Sequence, residues 1–174
     1  MESTVKQLRN HPCIVLWTIF NEGWGQFDGT AAYHNLRELD DSRFIDTASG
    51  WFAGPESDVE SPHIYFKPVK IVPGKKPVLL SEFGGYVYQD PEHSFNREKT
   101  YGYKLFERQE DYMDALEKLY REEIIPAVRN GLCGAVYTQL SDVEDETNGL
   151  LTYDRRVCKV DEVRTRALAE ELYR

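Results

Sequence analysis

The sequence has no long hydrophobic run, and its longest unbroken apolar stretch is Cys13–Trp17. A membrane-spanning helix needs about 20 apolar residues, so no transmembrane segment is expected. Basic residues are also scarce: 21 Lys and Arg stand against 30 Asp and Glu among the 174 residues, for a formal net charge of −9. Because phosphate-backbone binding depends on clustered Lys and Arg, neither nucleic acid nor a membrane is an expected partner.

Cysteine is scarce as well, with Cys13, Cys133 and Cys158 as the three copies and no C-x-x-C motif among them. This pattern excludes metal fingers and thioredoxin-like redox sites. Cys13 and Cys133 stand in apolar runs and are expected to be small buried hydrophobic residues. A hydrophobic content of 41% is typical of a folded soluble protein, and the length predicts one domain over residues 1–174.

Short apolar runs alternate with longer amphipathic ones along the chain. The apolar runs predict strands at 13–20, 44–48, 61–65, 77–82 and 134–138, the first of them covered on both faces. The amphipathic runs predict helices at about 30–39, at 112–124 and after Asp161. This alternation indicates an α/β fold with a parallel sheet. Residues 86–110 form an aromatic and charged insertion without a clear pattern.

Two of the predicted strands end in glutamate, Glu22 and Glu82, each close to glycine. In parallel β/α architectures the loops after the strands converge on one face, where catalytic groups cluster. Retaining glycosidases need two carboxyl groups about 5–5.5 Å apart, one of them a proton donor and the other a nucleophile. From the pattern alone, the two glutamates could equally be solvated side chains at strand ends.

Four segments of the chain resemble glycoside hydrolase family 2, and they occur in the family's order. Asn10–Gly25 resembles the acid/base segment, where Asn-His-Pro leads into the fourth barrel strand and that strand ends in Asn-Glu. Pro77–Gly85 resembles the nucleophile segment after strand seven. Ser61–Tyr65 is similar to the strand-six region, and Gly134–Asp154 to strand eight and its loop in one bacterial branch.

The resemblance implies a partial TIM (β/α)8 barrel that contains roughly strands four to eight over residues 1–174. Strands one to three and the preceding β-sandwich domains of the family have no counterpart in this sequence. The chain is therefore interpreted as an excised or naturally truncated half-barrel, which leaves its compartment open between cytoplasm, periplasm and secretion. An open sheet edge favours self-association that covers it.

The resemblance also assigns roles to individual residues. Glu22 resembles the general acid/base and Glu82 the nucleophile. Asn21 resembles the residue that binds the sugar 2-hydroxyl, and Tyr65 the tyrosine that contacts the nucleophile. His63 is expected to line the same pocket. The alternatives are a tyrosine packed in the core and a structural histidine.

Two tryptophans, Trp24 and Trp51, lie in loops on the predicted active face and are candidates for stacking on sugar, whereas Trp17 is expected in the core. Tyr137 stands where many family members have a tryptophan at the base of the pocket, so it is also a candidate substrate-binding residue.

An acidic run follows the last predicted strand, but it is not expected to bind a metal ion. Its members, Asp142, Glu144, Asp145 and Glu146, match no cation-loop spacing, so a solvated acidic loop is expected. No cofactor is implied by the resemblance. Asn148-Gly-Leu150 departs from the Asn-x-Lys motif of the family's β-glucuronidases, which disfavours that activity.

Together these features predict a retaining β-glycosidase that acts on β-linked, galactoside-like sugars. One alternative is an inactive fragment or a sugar-binding remnant of such an enzyme. Another is an unrelated small α/β interaction domain, in which the four ordered segments would match by coincidence.

Overall fold

The computed structural model describes residues 1–174. The strands are β1 Leu16–Asn21, β2 Phe44–Ser49, β3 His63–Ile64, β4 Val78–Gly84, β5 Tyr86–Tyr88, β6 Lys104–Phe106 and β7 Leu132–Thr138. The helices are α1 Glu2–Leu8, α2 Gly29–Leu39, α3 Gln109–Leu119, α4 Ile125–Arg129 and α5 Glu162–Leu172. A π-helical turn, Tyr120–Ile124, joins α3 to α4. None of these helices combines the length and apolarity that a membrane span requires.

Five of the strands run parallel and lie side by side in chain order. β1 pairs with β2, and β4 pairs with β3 on one side and β7 on the other. Backbone bonds connect the two groups: Gly50 N donates to Ser61 O at 2.8 Å, and Asp58 N donates to Ile45 O at 2.8 Å. The α/β class with parallel strands is therefore confirmed.

The insertion at 86–110 contains structure that the sequence pattern did not predict. β5 and β6 pair in parallel within it. Between them the chain returns to the end of β4, because Tyr103 N donates to Gly85 O at 3.1 Å. The insertion thus brings new side chains to the carboxyl end of the sheet.

The helices begin close to where the sequence places them. The Asp28 carboxylate caps α2 by accepting from Ala31 N, and the Asp161 carboxylate caps α5 by accepting from Arg164 N at 2.8 Å. The predicted helix at 112–124 forms, and Pro126 does not end it. Pro126 falls in the first turn of α4, where a missing N–H costs little. The short α1 was not predicted.

Most of the apolar core lies around β4. Its largest cluster joins the strands β3, β4 and β7 to the helical segment 119–127, with Ile64, Val78, Leu80, Phe83, Leu119, Ile124, Ala127 and Leu132 as its buried members. A second cluster packs α3 against α5 through Tyr112, Met113, Leu116, Val160 and Leu168. Only three buried residues, Val5, Leu36 and Ile45, form the cluster under β1 and β2.

Two predictions about burial are wrong, and the open sheet edges explain both. No residue of β1 is fully buried, because β2 is its only strand neighbour. Cys13 and Cys133 are exposed rather than buried. Cys133 lies on β7, which pairs only with β4, and Cys13 precedes β1. An apolar run identifies a strand but does not show whether another strand lies beside it.

The acidic run is not uniformly solvated, since the side chains of Asp142 and Lys159 are both fully buried. Lys159 Nζ donates to Asp142 Oδ1 at 2.7 Å, to Thr147 O at 2.8 Å and to Tyr88 O at 2.9 Å. The partner of Asp142 is remote in sequence, so local patterns could not reveal it. This pair fastens the loop after β7 to β5.

Candidate active site

Glu22 lies directly after β1 in a left-handed backbone conformation, with φ of 53°. Gly23 follows with φ of 82°, which glycine adopts without a steric cost. The turn is held by Glu22 N, which donates to Ser49 O at 3.0 Å, and by Trp24 N, which donates to Asn21 O at 2.9 Å. A non-glycine residue in this conformation is strained, and such strain concentrates at functional sites.

Glu82 lies within β4, directly opposite His63 of β3 in the parallel register. Its side chain is partly buried, with 30% of its surface exposed, and that of Glu22 is 16% exposed. The two carboxyl groups therefore come from different strands but open on the same face. One ligand oxygen of Glu22 lies within 4.8 Å of one of Glu82.

His63 lies between the two carboxyl groups. Its Nδ1 is 2.6 Å from Glu22 Oε1 and 3.4 Å from Glu82 Oε2, and its side chain is fully buried. Its Nε2 is also buried and has no hydrogen-bond partner. A ring with its proton on Nδ1 donates to ionised Glu22, and the other tautomer accepts from protonated Glu22. His63 can thus bond Glu22 in either protonation state.

Tyr65 contacts the other carboxyl group. Its hydroxyl donates to Glu82 Oε2 and lies 3.0 Å from Thr138 Oγ1. Burial, and then the hydrogen bond to Glu82, raise the pKa of Tyr65 well above its usual range. The phenol therefore keeps its proton at all ordinary pH values and remains a donor to Glu82.

By ligand type, Glu22, His63 and Glu82 could hold a divalent metal, because each offers one ligand atom to a group spanning at most 4.8 Å. Two of these atoms already bond one another, since His63 Nδ1 contacts Glu22 Oε1. The absence of a metal requirement stays a prediction.

Three further candidates lie at the rim around Glu22. The Asn21 amide oxygen accepts from Ser49 Oγ at 2.8 Å at the end of β1. Trp24 is 80% exposed. Trp51 is 56% exposed, and its indole N–H donates to His63 O at 3.3 Å.

The structure does not bring Tyr137 to this group. Its ring packs edge-on against Phe83 at 5.6 Å and contributes to the two larger core clusters. Side chains alternate along a strand, so Thr138 faces Tyr65 while Tyr137 faces the helices. The expected place at the base of the pocket is not the one that Tyr137 occupies.

Sequence reasoning missed three residues beside the glutamates: Thr138, Tyr103 and Phe52. The Tyr103 ring stacks on Tyr65 with centroids 3.8 Å apart. Burial, the Tyr101 phenol and the two glutamates raise the pKa of Tyr103 to about 12. Gly85 is the one sequence feature that hints at the position of Tyr103, because a side chain at residue 85 would collide with the Tyr103 ring.

The chain matches the family model described as "Glycosyl hydrolases family 2, TIM barrel domain" over residues 1–168. It is also similar to the beta-galactosidases of Klebsiella pneumoniae and of Klebsiella pneumoniae strain 342, with 36% identity over 58 residues in each case. These residues are 33% of this chain, but they span only 6% of the length of either relative. Because the family model covers nearly the whole chain, this protein belongs to glycoside hydrolase family 2, as a β-galactosidase-like member of its TIM-barrel domain.

Proposed function

We propose that the chain carries the catalytic pair of a retaining β-glycosidase, with Glu82 as the nucleophile and Glu22 as the general acid/base. The observation that carries this proposal is the approach of the two carboxyl groups to within 4.8 Å. Retaining enzymes hold their carboxyl groups about 5–5.5 Å apart, whereas inverting enzymes leave about 6.5–9.5 Å for a water molecule. A separation of at most 4.8 Å between one oxygen of Glu22 and one of Glu82 supports the retaining arrangement.

The reaction follows from this spacing in two displacements. Glu82 attacks the anomeric carbon while Glu22 gives its proton to the leaving oxygen, so an ester forms as the glycosidic bond breaks. Glu22, now ionised, takes a proton from water as the water attacks the same carbon. The sugar leaves, Glu82 is released as a carboxylate and Glu22 is protonated again.

The neighbouring side chains fit these roles. Tyr65 donates a hydrogen bond to Glu82 and so holds this carboxyl group in position for attack. His63 Nδ1 bonds Glu22 Oε1 at 2.6 Å and so fixes the orientation of this carboxyl group. Asn21, at the end of β1 beside Glu22, is proposed to bind the sugar 2-hydroxyl. The substrate class is β-linked, galactoside-like sugars, in line with the family and its relatives.

We also propose that β1, β2, β3, β4 and β7 are strands four to eight of the family's barrel. Their parallel arrangement in chain order supports this numbering, as does the position of Glu22 directly after the first of them and of Glu82 within the fourth. In this numbering residues 1–174 form one partial TIM-barrel domain.

The nucleophile is tested by trapping. A 2-deoxy-2-fluoro-β-galactosyl fluoride slows both displacements but has a good leaving group, so the ester should accumulate on Glu82. Peptide mass mapping should find the label there, and Glu82→Gln should abolish both labelling and hydrolysis of p-nitrophenyl β-D-galactopyranoside. Glu38→Gln, on the exposed face of α2, is the matched control. A label on another residue, or substrate binding without turnover, would contradict the assignment.

The acid/base is tested by leaving-group ability. Glu22→Gln should slow the release of methanol from methyl β-D-galactopyranoside by several orders of magnitude. It should slow release of 2,4-dinitrophenolate far less, because that anion needs no proton. An equal loss on both substrates would argue against Glu22 as the acid.

Self-association through the open sheet edges is the proposed partner interaction. β1 pairs only with β2, and β7 pairs only with β4, so the outer backbone groups of both strands are unpaired. Val15, directly before β1, and Val136, within β7, are 67% and 54% exposed. Sedimentation should show a dimer or larger species that Val136→Lys weakens. A compact monomer at high concentration would contradict this interaction.

A further inference from the structure

The insertion between β4 and α3 places Tyr103 beside the proposed catalytic pair. The Tyr103 ring lies almost parallel to that of Tyr65, with centroids 3.8 Å apart and an angle of 12° between the two planes. Phe66 packs edge-on against Tyr103, with centroids 5.0 Å apart. Tyr103 therefore covers one face of the tyrosine whose hydroxyl donates to Glu82.

The backbone just before Tyr103 is fastened to the loop after β7. Tyr101 N donates to Asp145 O at 2.7 Å, and Thr147 N donates to Tyr101 O at 3.4 Å. Thr147 is fully buried, and its carbonyl oxygen accepts from Lys159 Nζ at 2.8 Å. This side of the insertion thus rests on the buried part of the loop.

The end of β4 provides a second attachment. Tyr103 N donates to the carbonyl oxygen of Gly85, the residue directly after β4, at 3.1 Å. Gly85 N in turn donates to Thr138 O on β7, also at 3.1 Å. A Cβ at residue 85 would lie 3.2 Å from Tyr65 Cε1 and would collide with the Tyr103 ring. The missing side chain therefore allows the two rings to stack against the end of the strand that carries Glu82.

We infer that Tyr103 is a positioning residue for the nucleophile, because its ring keeps the Tyr65 hydroxyl on Glu82. The inference rests on the proposed function, in which Glu82 attacks the anomeric carbon. Stacked aromatic rings attract one another beyond the area that they bury, so the stack restricts rotation of the Tyr65 side chain. A carboxylate that is already oriented before the substrate arrives reacts faster, since less freedom is lost in reaching the transition state.

The activity test compares a truncating and a conservative variant of Tyr103. Tyr103→Ala should lower kcat/KM for p-nitrophenyl β-D-galactopyranoside by about 3-fold to 10-fold, the range expected for one aromatic pair. Tyr103→Phe keeps the ring and should retain nearly full activity. Phe95→Ala is the matched control, because Phe95 belongs to the same insertion but packs on Tyr153, with centroids 5.0 Å apart. It should leave kcat/KM unchanged.

Two results of this comparison would overturn the inference. One is full activity in Tyr103→Ala. The other is an equal loss in Tyr103→Ala and Tyr103→Phe, which would assign the effect to the Tyr103 hydroxyl and not to the ring. Tyr103→Leu, which keeps an apolar side chain without the flat ring, replaces Tyr103→Ala if that variant does not fold.

A double-mutant cycle tests whether Tyr103 acts through Tyr65. Tyr65→Phe removes the hydroxyl that the stack is inferred to hold, so adding Tyr103→Ala to Tyr65→Phe should cause no further loss of kcat/KM. If the two losses instead multiply, Tyr103 acts independently of Tyr65 and the positioning role is wrong.

A measurement without substrate separates this inference from the proposed function. A hydroxyl proton that is hydrogen-bonded to a carboxylate gives a downfield proton NMR signal when its exchange with water is slow. Tyr65→Phe identifies the signal by removing it. Tyr103→Ala should broaden or remove the signal through faster exchange, whereas Tyr103→Phe and Phe95→Ala should keep it. A signal that Tyr103→Ala leaves unchanged contradicts the inference. A Tyr103-dependent signal in a chain that hydrolyses no galactoside retains the positioning contact and contradicts the proposed function.

Discussion

Glu22 and Glu82, the proposed catalytic pair, stand in halves of the sheet that are built differently. In the Glu82 half, formed by β3, β4 and β7, the central strand β4 has a neighbour on both sides, and Leu80 and Phe83 are completely buried. In the Glu22 half, formed by β1 and β2, the strand that carries Glu22 is an edge strand with no fully buried residue.

The two glutamates are therefore held in different ways. Glu82 belongs to a regular strand and is held by Tyr65, which is in turn held by Thr138 and Tyr103. Glu22 stands in a left-handed turn beside an exposed aromatic cleft. We infer that the Glu82 half holds its carboxyl group on a more rigid support than the Glu22 half does.

The largest expected effect concerns stability. Leu80→Ala should cost about 4–5 kcal/mol of unfolding free energy, because Leu80 is fully buried in the eight-residue cluster around β4. Leu36→Ala removes an equally buried leucine from the three-residue cluster and should cost about 2–3 kcal/mol, since a small edge cluster collapses more easily. Urea denaturation measures both. Equal costs would contradict the difference between the halves.

The next effect concerns activity. Tyr65→Phe removes the hydroxyl that donates to Glu82 and should lower kcat/KM by about 10-fold to 100-fold, the equivalent of about 1.5–3 kcal/mol for a hydrogen bond to a charged group. Tyr33→Phe is the matched control, because its hydroxyl donates to Asp58 at 2.8 Å away from the site. It should leave kcat/KM unchanged while lowering stability slightly. Activity assays with p-nitrophenyl β-D-galactopyranoside distinguish the two variants.

A smaller effect is expected at Gly50, which has φ of 91°. A Cβ there would lie 3.0 Å from both Glu22 Cγ and His63 Nδ1, so Gly50→Ala should cost about 2 kcal/mol and also reduce activity. Gly25 has φ of 62° but nothing within 4 Å, so Gly25→Ala should show only the backbone cost of about 1 kcal/mol. If both variants retained full activity, Gly50 would not be needed for the Glu22–His63 contact.

The smallest effect is a pH dependence in the Glu22 half. Burial works to raise the pKa of Asp58, but hydrogen bonds from Ile45 N–H, Tyr33 and Arg37 outweigh it and hold that pKa below 3.8. The unfolded chain therefore binds this proton more readily, so the stability that Asp58 contributes is present above pH of about 3.8 and is lost as the pH falls below it. The loss should stay under about 1 kcal/mol, because the pair is partly exposed.

Asp58→Asn should flatten this part of the stability curve in denaturation between neutral pH and pH of about 2. Asp114→Asn, which removes the carboxylate of an exposed ion pair with Arg164, should leave the slope nearly unchanged. An equal slope in the Asp58 variant and the parent chain would contradict the expected contribution.

The fold was predictable to the extent that it depends on local pattern. β1, β2, β3, β4 and β7 were predicted within a few residues of their observed bounds, and a helix was predicted where α3 forms, since both follow from hydrophobic periodicity. β5, β6 and α1 were not, because their short segments carry too few apolar positions to show a period. The exposure of Cys13 and Cys133 was missed, because burial depends on which strands lie alongside.

The candidate site divides in the same way. Glu22, Glu82, His63 and Tyr65 meet at one face, as strand ends in a parallel sheet should. Tyr137 does not join them, because a single residue of register turns its side chain toward the helices. Three other residues lie near the two glutamates because distant parts of the chain fold back to them: Thr138, Tyr103 and Phe52. No local sequence motif predicts their position.

The sequence by itself determined the parallel α/β class, the family resemblance and the two glutamates, one directly after β1 and one within β4, since each depends on residues close together in the chain. Only the tertiary structure decided the distance between the carboxyl groups, the position of His63 between them and the burial of Asp142 with Lys159. These features join residues tens of positions apart. Their distances depend on how strands pack and twist, which is a property of the whole sheet and not of any one segment.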